Sequence, residues 1–398
     1  MPTAHLYHRG RDRVALTCVS PSLAAVAYSP HIKPILEVFM TCRIAGVWAA
    51  FVLATAMVGG AQTYTVTDIG VLKGDNESNG FWINNLGEVV GCSDTANSEG
   101  YPCTGLVAGQ HAFSWTRSGG LKDLGTLSGA TVSGAIGLND AGTVVGYSNV
   151  KGKAATAFVA VQWSPTGAIT NLGTIPGGSS SAAFEINSAG VVAGDSFLGS
   201  GVVNAASWTG LKIKNLGALS KAIFTAGLDI NDNGEIVGES VFGYGPPFTS
   251  HGFLWNGSTM KDLGTLAGGV TSMANAINSS GVVVGQSDGS STRGSWHAVL
   301  WTSAGKIQDL GVLSGGSYSI AFGVNDSSVV VGYGNVGNNA AHAMVRTSTG
   351  GMKDLNSLIP AGSGWVLINA NAINNVGQIT GYGTKGGHNH AFLLNPSN

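Results

Sequence analysis

Charge is what this 398-residue chain most conspicuously lacks. Asp, Glu, Lys and Arg make up only 10% of it, and 19 basic against 21 acidic residues leave a net charge of −2; an average soluble domain carries roughly 25%. No cluster of Lys or Arg lies beyond residue 60, so attraction to nucleic acid or to an anionic membrane surface has no electrostatic source, and no nucleic-acid partner is expected. Proline is scarce, at 11 residues, and cysteine is limited to four. Helical periodicity is missing from residue 62 onward, which argues against a helical core. What fills the space is Gly, at 62 residues, together with Ser, Thr and Asn. That mixture suits short strands joined by tight turns, because Gly supplies positive φ and Asn tolerates it.

The first 61 residues differ from the rest. Met40-Thr-Cys-Arg43 is a short positive start, Ile44 to Val58 is an uncharged apolar run, and Gly59-Gly60-Ala61 supplies small residues before Gln62. This is the order of a secretory signal peptide, and the run is short of the roughly 20 residues a membrane-spanning helix needs. Residues 40–61 are therefore expected to be a cleaved signal and 1–39 an over-extended, disordered start, leaving a secreted chain of 62–398 with no stable membrane span. Cys92 and Cys103 remain in that chain, eleven positions apart in one loop. In an exported protein such a pair is expected to form a disulfide.

From residue 62 the chain is a repeat. An Asp/Asn-Leu/Ile-Gly element begins at Asp68, Asp123, Asn171, Asn215, Asp262 and Asp309, and a seventh, Asp354-Leu355-Asn356, loses the Gly. Sixteen positions on comes Asn84, Asn139, Asn187, Asn231, Asn278 and Asn325; in the last copy the gap is twenty, to Asn374. Seven positions after each Asn stands a Gly, from Gly91 to Gly381. A third element reads His-Ala-Phe-x-Trp at His111, with variants at His251, His297, His342 and His390, while TAFVAVQW and NAASW lack the His. A unit of about 45 residues that reads as four short strands predicts an all-β fold, a seven-bladed β-propeller. The ends support a ring. The mature chain opens with an Asp-Leu-Gly-type strand, TYTVTDIG, and closes with HAFLL; each lacks the partner the other carries, so strands near Thr65–Ile69 and Ala391–Leu394 should pair and leave no open edge.

At these strings, DLGTL, INxxGxVVG and HAFxW, the sequence resembles the extracellular HAF-repeat family of bacteria, over about residues 64–394. The resemblance implies export and an extracytoplasmic repeat array, and it supplies no catalytic residue. Some members carry a C-terminal sorting anchor; the ending Leu394-Asn-Pro-Ser-Asn398 has none, which implies release from the cell.

Equivalent His residues on different blades lie far apart, so a structural hydrogen bond inside each blade is expected rather than a metal ring. Asp229-Ile-Asn231-Asp232-Asn233-Gly234 begins like a calcium loop, but its twelfth position is Ser240 where a bidentate Glu is needed; a hairpin turn is expected. No nucleophile elbow and no P-loop is present. Glu185, Asp195 and Glu239 depart from the repeat and are where a polysaccharide-acting lyase or glycosidase site would show. The Trp at 115, 163, 208, 255 and 301 share one repeat position and are expected in the core. Phe242, Tyr244 and Phe248, in the loop FGYGPPF, and Trp296 have no repeat duty and are the candidate contact residues. The expectation is a non-catalytic scaffold that needs no cofactor or metal and binds an extracellular glycan or protein through loops 92–110 and 242–248.

Overall fold

The structure, a computed structural model, describes residues 62–397 apart from 95–102, 104–108, 154–156, 200, 244–248 and 293–294. The expected signal segment 40–61 and the stretch before it lie outside the described residues. Among the described residues there are 28 strands and only two short 3-10 turns, Ser290–Thr292 and Leu355–Leu358, and no helix is long and apolar enough to cross a membrane.

The strands form an all-β propeller of four-stranded antiparallel sheets. In the sheet of residues 77–123 the inner strand Glu77–Ile83 turns into Val89–Asp94, which pairs with His111–Thr116, which pairs with the outer strand Gly120–Asp123. The pattern recurs at 133–173, 272–309 and 319–354. The last sheet is made from both ends of the chain. Trp365–Ile373, Ile379–Lys385 and His388–Pro396 are completed by Tyr64–Gly70, with Val66 opposite Leu394 and Asp68 opposite Phe392. The expected closure is formed.

The repeat predicts seven separate sheets, and six form. Residues 181–217 and 224–262 make two four-strand groups that merge into one sheet of eight strands. The strand pairing that joins them is a parallel bridge of Val203 to Phe224, helped by the Val203 N–H donating to the Ile223 carbonyl. The short connection after Gly217 brings the start of one inner strand beside the third strand of the previous group.

Apolar clusters fill the seams between neighbouring sheets. Val145 and Ala160 of one sheet meet Ala183, Val192, Ala206 and Trp208 of the next. Trp163, Trp208 and Trp301 are fully buried and Trp115 and Trp255 nearly so, so the recurrent Trp is seam core. The invariant Gly has a steric cause. Its second strand pairs with an inner strand whose register shifts at that point, and a Cβ at Gly91, Gly194 or Gly381 would land on the carbonyl oxygen of the inner strand. Serine staples the seams: Ser133 Oγ accepts from Ala112 N–H and donates to the Gly125 carbonyl, and Ser78, Ser181, Ser272 and Ser319 do the same. Low charge is thus matched by a dense neutral hydrogen-bond frame.

Candidate functional site

Each inner strand ends at the repeat Asn. The Asn84 Oδ1 accepts the backbone N–H of Leu86 and Glu88, fixing the hairpin turn. Its Nδ2 donates to the backbone carbonyl of Asn139 at 3.2 Å. The same bond runs from Asn139 to Asn187, then to Asn231, Asn278, Asn325 and Asn374, and returns to Asn84 at 2.9 Å. Seven side chains thereby close a ring around the central channel. The next residue of each turn adds a partial outer ring: Asn85 donates to Asp140, Ser188 to Asp232, Ser279 to Asp326 and Asn375 to Asn85. The Asp of the expected EF-like stretch sits in this frame, at a hairpin turn.

Inside this mouth is a cup of about 190 Å³. Its wall carries five carboxylates, Asp140, Glu185, Asp229, Asp232 and Asp326, and no Lys, Arg or His. Three of them are on the rim. Hydrogen bonds from Ser279 and Asn375 hold the Asp326 carboxyl below its usual range, against a desolvation that opposes them. Glu185 and Asp229 lie deeper, at equivalent positions of successive inner strands. The column reads Trp82, Gly137, Glu185, Asp229, Ala276, Gly323, Ala372. Glu185 is only 3% exposed. Its Oε2 has no hydrogen-bond partner and lies in the space a side chain at Gly137 would take. Burial first, and the Asp229 charge second, push the Glu185 carboxyl well above the carboxylate range, against N–H groups of Ile186 and Leu138 that lower it. Asp229 is pushed up to about 7 by burial, against the N–H groups of Ile277 and Ile230, which donate to its Oδ2 and Oδ1 at 2.8 and 2.7 Å.

Of the three carboxylates that the sequence singles out, only Glu185 reaches the cup. Asp195 and Glu239 share another column, the residue after the invariant Gly: Cys92, Tyr147, Asp195, Glu239, Gln286, Tyr333, Tyr382. Both are buried. By strand alternation Asp195 is on the side of Ala193, which packs in the seam against Ile236 and Phe253. Burial raises Asp195 to about 7, against one N–H from Ala182, and Glu239 to about 7, against the Ser250 hydroxyl. Asp229 is the residue that sequence reasoning missed as a site candidate. Two acids in successive copies, two positions before the ring Asn, were the available signal.

The five recurrent His make the expected structural bonds. Nδ1 of His111, His251, His297, His342 and His390 lies 2.6–3.0 Å from Asp123, Asp262, Asp309, Asp354 and Asp68. In four of these pairs the other oxygen of the Asp accepts the N–H two residues on, as Asp123 does from Gly125; in Asp68 the oxygen nearer His390 also accepts from Gly70. Asn171 and Asn215 occur in the two copies that lack the His, and each still accepts the N–H two residues on. In one of them Asn204 replaces the His and donates to Asn215. Among the described residues no group of three or more His, Cys, Asp or Glu is placed to hold a metal ion.

Phe242 and Trp296 lie at the other end of the channel. All inner strands end at the Asn ring, so the second strands run away from it, and Phe242, near the end of Ile236–Gly243, and Trp296, just before His297–Trp301, stand on the opposite face. Cys92 and Cys103 are bonded, with Cα atoms 6.2 Å apart. The Cys103 N–H donates to Asp94, which anchors the loop to the second strand. Phe242 packs edge-on against His251, 5.4 Å between centroids. Trp296 is 38% exposed and donates from Nε1 to Thr271. Tyr244 and Phe248 lie outside the described residues. Trp82, in contrast, lines the cup.

No family profile matches the chain, and no curated protein matches it. Among solved structures it is similar to TolB from Acinetobacter baumannii, at 11% identity and a TM-score of 0.41, over 73% of this chain and 61% of that one. The extracellular domain of a one-component system of B. thetaiotaomicron gives 7% and 0.47, over 83% and 40%. A puromycin-hydrolysing peptidase of Mycobacterium tuberculosis gives 12% and 0.37, over 70% and 45%. The chain spans less than half of the last two, and none carries a ligand or an activity over to it.

Proposed function

We propose that the chain is an exported seven-bladed propeller of HAF-type repeats that binds an extracellular glycan or protein and does not turn it over. The eight-stranded sheet counts as two blades joined at the Val203–Phe224 bridge, and one ring Asn then belongs to each blade. The observation that carries the binding reading is where the recurrent polar residues go. His, Asp, Asn and Ser are engaged in the repeat's own hydrogen bonds, and what is left free is the set of loops opposite the Asn ring. A rigid frame with variable loops is the usual arrangement for displaying contacts. The longest of these loops is tied by Cys92–Cys103, a bond that persists in oxidising surroundings and supports export. The contact surface is assigned to loops 92–110 and 242–248 with Phe242 and Trp296.

The test is a glycan array with the secreted protein, run beside a polysaccharide-cleavage screen. Binding lost when both loops are exchanged for short repeat-like ones supports the assignment; binding that survives the exchange places the contact elsewhere. Turnover abolished by substitution of Glu185, Asp195 or Glu239 replaces this reading with the lyase or glycosidase one.

A further inference from the structure

We propose that the cup at the Asn-ring mouth binds a primary ammonium group, seated between the Glu185 carboxyl and the Trp82 ring. This is the face opposite the loops, so the site is independent of the contact surface assigned above. The electrostatics select the sign of the ligand. Five carboxylates and no basic side chain line the cup, so an anion is repelled and a cation is concentrated there. The geometry selects the kind of cation. Calcium takes six to eight oxygens, and among the described residues no three acidic side chains converge on a metal position. The ring Asn are committed to each other and to their turns. Both oxygens of Asp229 already accept backbone N–H groups, so it supplies field. Glu185 Oε2 is the buried acceptor of the cup still without a donor, and an unmet buried acceptor is costly. An ammonium brings three N–H donors and a charge that an aromatic face such as that of Trp82 attracts.

Gly137 sits between Trp82 and Glu185 in the ring order, and its lack of a side chain leaves the room that Glu185 Oε2 occupies. Burial favours the protonated form of Glu185. Ammonium entry makes the carboxylate the favoured form, and the Glu185 proton leaves to solvent. The other titratable groups facing it are Asp229 on the adjacent inner strand and the rim residues Asp140, Asp232 and Asp326.

The experiment is calorimetric titration of the secreted chain with 1,5-diaminopentane and with a peptide bearing a single lysine. The acetyl-lysine form of that peptide, calcium chloride and glucose serve as counter-probes. The two amine arms separate a free amine from a lysine presented by a protein. Saturable binding of either amine is expected, with none to the acetylated peptide and with a proton released, read as a heat that differs between two buffers. E185Q and W82L should each weaken it at least about tenfold, as loss of one charge-assisted bond does. D195N, outside the cup, should leave it unchanged. In the wild type the Trp82 indole N–H resonance should shift on titration, a readout that needs no variant to fold. Absence of amine binding, amine binding unchanged in folded E185Q, or tighter binding of calcium or glucose each overturns the assignment.

Discussion

Residues 181–262 and the remaining sheets are built from the same repeat, yet they handle polarity in opposite ways. Outside 181–262 the two columns that face inward and into the seams carry Trp, Gly, Ala, Cys, Tyr or Gln. Within 181–262 both columns carry acids in both copies: Glu185 and Asp195, then Asp229 and Glu239. All four have their carboxyls pushed upward by burial. This is also where two sheets merge and where His is replaced by Asn204. The frame is held everywhere by the same Asn ring and Gly contact, and both acidic copies keep the seam Trp, Trp208 and Trp255, so the acids are not part of what makes the repeat fold. A buried acid is costly when charged, and a protein that keeps four in one sector has concentrated its departures from the repeat there.

The largest effect should come from opening the ring. A chain ending at Lys385 loses the strand His388–Pro396, which pairs on one side with Tyr64–Gly70 and on the other with Ile379–Lys385. The cooperative thermal transition should vanish, by circular dichroism, in both regions alike. Hydrogen exchange that stayed slow in 181–262 alone would break the view of one continuous frame.

Next in size is the pH response of the acidic sector. Asp195 has a folded value of about 7 against 3.8 for the free group. As pH rises the unfolded chain sheds the proton first, so stability falls from about pH 4 to about 7 and is flat above. The loss is on the order of 4 kcal/mol, about three units at 1.4 kcal/mol each. Asp195→Asn keeps an acceptor for Ala182 and should restore much of it at pH 8, by urea unfolding, with little gain at pH 4. An equal gain at both pH values would show that the carboxyl is not buried as an acid.

The Asn ring should respond equally in both regions. Asn278→Ala removes the bond to the Asn325 carbonyl and two turn bonds, and Asn187→Ala removes the bond to Asn231 and a turn bond. Each should cost about 2 kcal/mol. A much smaller cost at Asn187 would mean that the merged sheet no longer needs the ring. The smallest effect is expected at the half-exposed pairs: His251→Ala, which breaks the bond to Asp262, and Asn204→Ala should both cost below about 1 kcal/mol in thermal melts. A large cost at His251 alone would give that pair a duty beyond its blade.

The sequence by itself determined the repeat, its strand order and the pairing of the chain ends. These follow from local periodicity and from which half-hairpin each end lacks, and no distant contact is needed to read them. It also located the Cys92–Cys103 bond and the recurrent Trp, because spacing alone assigns one to a loop and the other to a repeated core position. Only the tertiary structure decided that the seven Asn touch each other, since a turn residue looks the same whether its side chain ends in water or on the next turn. It alone merged 181–217 with 224–262 through one bridge, a contact too small to leave a pattern. It alone separated Glu185 and Asp229 in the cup from Asp195 and Glu239, because residues ten apart on paired strands face the channel or a seam according to a register shift. A one-residue slip in an inner strand decides which side chain faces the cup.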